Sequence, residues 1–249
     1  MLDPLIAKLE GLAVLTDPER QAITEALTRS RALPAGSDIA VEGRAPEACT
    51  VLLDGWAARY KLLDDGKRQI TGFLIAGDLC DLDGLLAGFM DHSVTALTQV
   101  TVAPIPRDLL MRLMERHPGI ANAIQQDLLS EAAIAREWVL NVGRRSAYQR
   151  IAHVLCEMAL RLERAGLARR SEFRFPVRQA DLADATGLTT VHVNRTIQAM
   201  RGDGLVTWSG SNVVIPDWER LQQAGAFRPG YLRLDRGSRN SDDESYHVK

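Results

Sequence analysis

The chain has 249 residues, a formal net charge of −2 and an apolar share of 46%, which suits a globular protein with two modest domains. No apolar run approaches the roughly 20 residues that span a bilayer, and the acidic N-terminus is no signal peptide. We therefore expect a cytoplasmic protein with no membrane partner. The three cysteines, Cys49, Cys80 and Cys156, lie far apart and predict buried thiols rather than a disulfide framework.

The charge is divided unevenly along the chain. Residues 1–143 hold 13 Lys and Arg against 20 Asp and Glu, a balance of −7. Residues 144–210 hold 11 Arg against 6 acidic residues, a balance of +5. A basic segment carried behind an acidic one favours contact with a phosphate backbone through the basic segment alone.

The first part of the chain, residues 1–117, predicts a β-rich domain that follows N-terminal helices. Apolar residues at helical spacing predict helices within residues 4–30, and the period then changes. Strand-like runs between glycine-containing turns are found at 49–53, 57–63, 69–75 and 93–105. Many short strands with such turns indicate a β-sandwich or barrel.

A long amphipathic helix is predicted at residues 118–143. A helix of about 35 Å exposes its apolar stripe unless another surface covers it. We favour a second copy of the chain, packed as a parallel seam, and packing against the first domain is the alternative. The residues that we assign to the dimer contact are Ile120, Ile124, Leu128, Ala135 and Val139.

Gly143 and Ser146 mark a predicted hinge to a second domain at residues 144–228. Gly143 suits a helix C-cap and Ser146 suits an N-cap, so that one helix ends and another begins between them. Residues 229–249 follow this domain. Their low apolar content predicts a flexible C-terminal tail.

The stretch 178–205 predicts a helix-turn-helix. Gly187 suits the turn, because glycine adopts a positive φ without strain, and Thr189 can cap the second helix. The apolar residues that repeat on one face of this helix are Val193, Ile197 and Met200. An ordinary helical hairpin is the alternative, but this spacing favours the DNA-binding motif.

A β-hairpin pattern follows at residues 204–215, with its turn at Ser209-Gly210-Ser211. A helix-turn-helix that is closed by such a hairpin is a winged helix. The second half of the chain therefore predicts a winged helix-turn-helix that binds double-stranded DNA.

The whole order of elements resembles that of the Crp/Fnr family of bacterial transcription regulators. Three segments carry the resemblance: the hairpin and Gly-Asp turn at 51–78, the hinge at 143–152 and, most specifically, residues 191–196. The resemblance implies an α+β fold with an N-terminal double-stranded β-helix or jelly-roll barrel, a dimerisation helix and a C-terminal winged helix. It further implies a homodimer that binds a two-fold symmetric operator. Each second helix would enter the major groove, and the dimer would recruit or block RNA polymerase.

Four side chains of the second helix are candidate readers of DNA bases, and the family resemblance bears on two of them. Arg195 matches the family position that donates to guanine, with a phosphate contact as the alternative. Val191 stands where many members have a Glu that accepts from cytosine, and a valine can only touch a thymine methyl. We therefore expect a different operator. His192 and Asn194 can read bases or contact phosphates.

Polar residues around the helix-turn-helix are candidate contacts to DNA phosphates, through family-matched clamping positions, a helix N-terminus or the tip of the wing. They are Arg178, Gln179, Thr189, Thr190, Ser209 and Ser211. For each Ser or Thr, a capping role in a helix or turn is the alternative.

The first domain lacks the residues with which family members bind cyclic AMP. The Glu that would bind the ribose falls near Leu82, and the Arg-Ser that would bind the cyclic phosphate falls at His92-Ser93. The candidate effector pocket that remains consists of Asp83, His92 and Ser93. Its effector is not identified by the sequence.

Charges near this pocket also disfavour a cyclic phosphate. No arginine lies between Arg68 and Arg107, whereas Asp81, Asp83 and Asp91 would repel the anion. Cyclic-nucleotide binding is the weaker alternative, and His92 alone keeps it open.

The chain has few residues that could ligate the other cofactors of the family. The four-cysteine iron–sulfur cluster is excluded, because the chain has three cysteines and none before Cys49. Haem-binding members use a Cys or His near the Gly-Asp turn, where this chain has Cys80 and His92. We assign no cofactor and no metal ligand from the sequence.

A DNA-binding regulator competes with an enzyme and with a ligand-binding module that regulates a partner protein. The sequence has no nucleophile elbow, phosphate loop or metal-spaced His/Cys set, so we predict no enzyme. The C-terminal winged helix argues against the partner-protein regulator.

Overall fold

A computed structural model describes residues 4–27 and 29–233. The α-helices are α1 Pro4–Glu10, α2 Asp17–Ala26, α3 Leu82–Ala87, α4 Arg107–Arg116, α5 Pro118–Arg144, α6 Ala147–Arg164, α7 Gln179–Thr186, α8 Thr190–Gly202 and α9 Trp218–Ala224. The strands are β1 Arg31–Leu33, β2 Asp38–Ala40, β3 Ala48–Asp54, β4 Ala57–Leu62, β5 Arg68–Leu74, β6 Ser93–Ala96, β7 Val100–Pro106, β8 Glu172–Arg174, β9 Thr207–Ser209 and β10 Asn212–Val214. A 3-10 helix spans Pro229–Leu232.

Two antiparallel sheets form the first domain. One has the order β1-β7-β3 and the other β2-β6-β4-β5, so the described strands make two packed sheets rather than one closed barrel. Leu52 and Val102 from the first sheet pack with Leu74 and Val94 from the second in a common apolar core. Two sheets packed face to face are the two layers that we expect of a jelly roll.

The predicted single run at 93–105 is two strands, β6 and β7, that belong to different sheets. The backbone N–H groups of Leu97 and Thr98 both donate to the carbonyl of Trp56, at 2.8 and 3.3 Å. These bonds fix the turn at which the chain crosses from one sheet to the other. Apolar alternation cannot reveal such a crossing, because both strands face the same core.

The first half of α5 packs against its own protomer. Ile120 and Ile124 are each 2% exposed and lie in a core with Leu5 and Leu9 of α1 and Leu110 of α4. The predicted dimer contact is therefore wrong at Ile120 and Ile124. The N-terminal helices already cover that part of the stripe.

The second half of α5 leaves apolar side chains open. Val139 is 70% exposed, Ala135 is exposed and Leu128 is half-buried. Leu129 and Leu140 are exposed as well. The dimer contact stays a prediction at Leu128, Ala135 and Val139, which remain accessible in the single chain.

The junction between the domains lies two residues beyond Gly143. Helix α5 continues through Gly143 and ends at Arg144, so that glycine is not the C-cap that we expected. Ser146 does cap the next helix: its side chain accepts a hydrogen bond from Gln149 N–H, and the Gln149 side chain accepts one from Ser146 N–H. This reciprocal capping box starts α6.

The beginning of the predicted tail is folded. The Tyr231 hydroxyl donates to Glu157 Oε2 at 2.7 Å, and Leu232 is 5% exposed. The prediction of a flexible tail over residues 229–249 is therefore wrong for 229–233, and residues 234–249 lie outside the described part of the chain. None of the helices within 4–27 and 29–233 has the length and apolar content to cross a membrane.

The two domains share one aromatic core. The ring centroid of Phe175, which follows β8, lies 5.4 Å from that of Trp56 and 5.8 Å from that of Phe73, both in the first domain. A polar contact also joins the two domains, because Arg68 of β5 donates a hydrogen bond to Asp184 of α7 at 2.8 Å. The helix-turn-helix is therefore held against the sheet of β5, and this contact positions the candidate site.

Candidate nucleic-acid interface

The turn between α7 and α8 has the geometry that its sequence predicts. Gly187 has a φ of +64°, and its N–H donates to the Ala183 carbonyl. A side chain would be strained at this φ, so glycine ends α7 at low cost. Two residues later, the Thr189 hydroxyl accepts a hydrogen bond from His192 N–H at 3.2 Å and caps α8.

One face of α8 is locked into the domain core. Val193 and Met200 are fully buried, Ile197 is 5% exposed, and Leu182 of α7 packs with them. Since residues three and four apart share a helix face, this burial turns the intervening residues outward. The orientation of α8 is thus fixed from the inside.

The outward face of α8 carries all four predicted base-reading residues. Val191 is 69% exposed, and His192, Asn194 and Arg195 are exposed beside it. The Arg195 guanidinium forms no hydrogen bond or ion pair with any residue in the described ranges. The Asn194 amide donates to the Gln179 side chain at 3.3 Å. These donors can reach base edges without first breaking a strong contact within the protein.

Arg178 belongs to an ion cluster at the start of α7. Its Nε lies 2.8 Å from Asp181 Oδ2, and Asp181 also binds Arg68 of β5. Burial raises the pKa of Asp181, but the hydrogen bonds from Arg178 and Arg68 outweigh it and hold that pKa below its ordinary value. The Arg178 side chain is nevertheless 74% exposed, so it remains available to a phosphate.

The wing is the three-stranded sheet β8-β10-β9. Its tip turns at Gly210, with a φ of +59°, between Ser209, which is exposed, and Ser211, which is half-buried. The Ser211 carbonyl accepts a hydrogen bond from Phe175 N–H at 2.6 Å. Ser211 therefore also ties the tip of the wing to the residue that follows β8. Thr190 is exposed in the first turn of α8.

A groove between the wing and the two helices adds residues that the sequence analysis missed. It brings Arg178, Gln179 and Ser211 together with Gln198 and Arg201. Gln198 and Arg201 follow Arg195 at intervals of three residues, which places them along the same side of α8. That spacing was the signal that could have identified them.

A second cavity, of about 310 Å³, lies between the first domain and α5. It is lined by Asp83 and His92, as predicted, but not by Ser93, whose hydroxyl accepts a hydrogen bond from Glu42 N–H at 3.0 Å. The assignment of Ser93 to the pocket is therefore wrong. Asp81 also turns away, because Thr50 binds its carboxylate through both N–H and hydroxyl.

Two guanidinium groups reach this cavity, contrary to the expectation of no arginine nearby. Arg59 comes from β4 and Arg161 from α6. Arg59 pairs with Glu131 of α5, while Arg161 lies 2.8 Å from Asp78 Oδ2. Burial lowers the pKa of each guanidinium, but these carboxylates raise it above its ordinary value. A bound anion would have to compete with carboxylates for both cations.

The carboxylates around this cavity are held by a network that includes Lys8 of α1. Lys8 Nζ lies 2.9 Å from Asp78 Oδ1 and 2.7 Å from Asp127 Oδ1. Burial raises the pKa of Asp78, but Lys8 and Arg161 outweigh it and lower that pKa to about 2. The network ties α1, the Gly-Asp turn, α5 and α6 together.

All three cysteines are buried thiols, as predicted. Burial raises the pKa of Cys80 and Cys156, and burial with nearby Asp81 does the same for Cys49. A raised pKa disfavours the thiolate, which is the form that ligates metals. Cys80 is fully buried and does not line the cavity.

Known proteins share both parts of this architecture. A family model of the cyclic nucleotide-binding domain matches residues 30–117, and one of the Crp-like helix-turn-helix domain matches residues 149–224. The chain is 29% identical over 222 residues to the transcriptional activator protein FnrL of Cereibacter sphaeroides, a match that covers 87% of this chain and 88% of FnrL.

Two further relatives extend this comparison. The transcriptional activatory protein AadR of Rhodopseudomonas palustris is 31% identical over 177 residues, covering 71% of this chain and 70% of AadR. The solved structure of FixK2 from Bradyrhizobium japonicum superimposes with a TM-score of 0.71 at 26% identity, covering 79% of this chain and 96% of FixK2. Domain order and fold are therefore similar to those of transcription regulators.

Proposed function

Because the chain belongs to the Crp/Fnr family, whose relatives here are transcription regulators and not enzymes, we propose that it binds a two-fold symmetric operator as a homodimer. Each α8 enters the major groove of one half-site. The observation that carries the proposal is the outward face of α8, where Arg195 is exposed and has no partner within the described ranges.

The side chains of α8 suggest how each half-site is read. Arg195 donates to guanine O6 and N7, a bidentate contact worth about 1–3 kcal/mol of discrimination. Val191 contacts a thymine methyl, since it cannot accept from cytosine. Asn194 and His192 supply further base or phosphate contacts, and the candidate phosphate contacts flank them on α7 and the wing.

The homodimer uses the second half of α5. Leu128, Ala135 and Val139 stay accessible in the single chain, and Leu129 and Leu140 enlarge the apolar face. A helix that exposes several apolar side chains in succession gains by pairing with a second copy. Pairing through α5 also brings two DNA-binding domains into one assembly, as a two-fold operator requires.

The first domain serves as the sensor, with the cavity beside α5 as its effector site. Cyclic AMP is disfavoured as the effector, because Glu131 and Asp78 already pair with the two guanidiniums that could hold its phosphate. As a regulator of bacterial transcription the protein acts on RNA polymerase, and we place it in the cytoplasm with the chromosome.

Selection from random duplex DNA, followed by binding titrations at several salt concentrations, tests the proposal. We expect a palindromic site and a log K that falls steeply with log salt, since Arg and Lys release counterions from phosphates. Arg195→Ala should cost about 1–3 kcal/mol and relax one position in each half-site. Arg112→Ala, an exposed arginine on α4, is the matched control. A salt slope near zero would refute DNA binding.

Val139→Glu tests the dimer seam separately. Two charges facing each other across a parallel seam should yield a folded monomer with poor operator affinity, measured by sedimentation and circular dichroism. Met111→Glu is the control, because Met111 is an exposed apolar residue of α4, away from the seam. A Val139→Glu chain that sediments as a dimer would rule out this face.

A further inference from the structure

Three potential ligand groups converge at the mouth of the sensor cavity. Asp83 lies in α3, while Asp91 and His92 immediately precede β6. His92 Nδ1 is hydrogen-bonded to Asp91 Oδ1 at 2.6 Å and lies 3.8 Å from Asp83 Oδ2. One ligand atom from each side chain lies within 4.8 Å of the other two, which is close enough for a single metal ion to reach all three.

His92 is the buried member of the cluster. Its side chain is 9% exposed and lines the cavity, and its Nε2 atom has no hydrogen-bond partner among the described residues. An imidazole in this setting is held in place while both carboxylates remain open to solvent at 49% and 73% exposure. The site therefore combines a fixed nitrogen ligand with accessible oxygen ligands.

The nearby cations, Lys61 and Arg59, act on these carboxylates only from a distance, because each has a closer partner. Within the described ranges, neither Asp83 nor Asp91 forms an ion pair with a lysine or arginine. Lys61 instead pairs with Glu42 and donates to the backbone carbonyl of Asp91, and Arg59 pairs with Glu131. Two negative charges thus face the imidazole and favour a divalent cation.

We propose that Asp83, Asp91 and His92 bind one divalent first-row transition-metal ion at the mouth of the sensor cavity. One imidazole and two carboxylates without a thiolate suit Mn²⁺, Fe²⁺, Co²⁺, Ni²⁺ or Zn²⁺, since imidazole selects transition metals and carboxylate accepts the harder ones. Three protein ligands leave further coordination positions for water or a small ligand. The inference is independent of DNA binding, because the ion is measured on the protein alone.

Metal titration of the full chain without an affinity tag tests this site. After treatment with a chelator and dialysis, the protein is titrated calorimetrically with ZnCl₂ and, in parallel, with MnCl₂. We expect one ion per chain for at least one of the two metals. Loss of even an indirect support of a metal ligand typically weakens binding about 10–100-fold, so removing two direct ligands in D83N/D91N should weaken it at least as much.

D64N/D65N is the matched control, because it removes two exposed carboxylates from the β4–β5 turn and should bind as the wild type does. His92→Gln, which keeps a polar side chain of similar reach, should also lose binding. Thermal melting of each variant verifies folding. Absence of binding to the wild type, or equal binding by D83N/D91N, would overturn the proposal. In a further titration with CoCl₂, a thiolate-to-metal band in the absorption spectrum would also overturn it, because that band would place the ion on a cysteine.

Discussion

Helix α8 and the long helix α5 have equally regular apolar stripes, but their stripes are covered in different ways. In α8 the whole stripe of Val193, Ile197 and Met200 is buried within its own small domain. In α5 the stripe is divided: Ile124 is 2% exposed, whereas Val139, fifteen residues later, is 70% exposed. The same periodicity therefore gives a fully buried stripe in α8, but a stripe in α5 that is buried at one end and exposed at the other.

This difference shows what an amphipathic pattern can and cannot specify. A stripe identifies the side of a helix that avoids water, but it does not identify the surface that covers it. In α8 the covering surface comes from the same small domain: from α7, which is joined to it by a tight turn, and from α6. In α5 only the first half of the stripe is covered, by α4, which directly precedes it, and by α1, which lies more than a hundred residues earlier.

Arg161→Met should have the largest effect on how α5 is held. The variant keeps an unbranched apolar stem but removes the cation between Asp78 and Glu157, both of which are buried. Glu157 accepts a hydrogen bond from Trp138 of α5, which links this network to that helix. Leaving buried carboxylates without this partner should cost about 3–5 kcal/mol of unfolding free energy. Urea unfolding measures the loss, with Arg112→Met as the exposed control. A loss below about 1 kcal/mol would mean that the network does not hold α5.

Ile124→Ala and Val139→Ala compare the two halves of α5 directly. Removing the buried Ile124 side chain should cost about 2–5 kcal/mol, since it leaves a cavity beneath α1. Val139→Ala should stay within about 0.5 kcal/mol when unfolding is measured at concentrations where the chain is monomeric. Equal losses for the two variants would contradict the division of the stripe.

His153 of α6 gives the stability a pH dependence where the C-terminal segment packs. Burial, followed by the charge of Arg145, lowers the pKa of His153 to about 3. Below about pH 6.5 the unfolded chain binds a proton that the folded chain does not, so stability falls as the pH falls. Between pH 8 and pH 5 this should cost about 2 kcal/mol.

The His153→Gln variant should lack this contribution, whatever its stability at pH 8. The measurement is the difference between the two proteins' unfolding free energies at each pH, because other buried groups titrate in both. If the two pH profiles run parallel, the neutral burial of His153 is excluded.

Thr189→Ala should have the smallest effect and tests the local determinants of α8. Loss of the N-cap should reduce the unfolding free energy by about 1 kcal/mol. Thr190→Ala, one residue later and without a capping bond, should change it by less than about 0.5 kcal/mol. Thermal melting of both variants measures the two losses of stability. Equal melting temperatures would mean that Thr189 does not stabilise α8 as its N-cap.

Elements that depend on near neighbours can be predicted from the sequence. Gly187 and Thr189 specify the turn and the cap of the helix-turn-helix, Ser146 specifies the start of α6, and period-three and period-four spacing orients α8. These features are predictable because the groups that satisfy them lie within a few residues. The outward placement of Arg195 follows from the same local rules.

Contacts between distant groups, in contrast, become visible only in the folded chain. The structure places Arg59 in the cavity between the first domain and α5, removes Ser93 from it and covers Ile120 and Ile124 with the N-terminal helices. It also brought Asp83 beside His92, nine residues away. Charge pairing and the covering of an apolar face depend on packing between remote segments. This packing cannot be predicted from the local periodicity of the sequence.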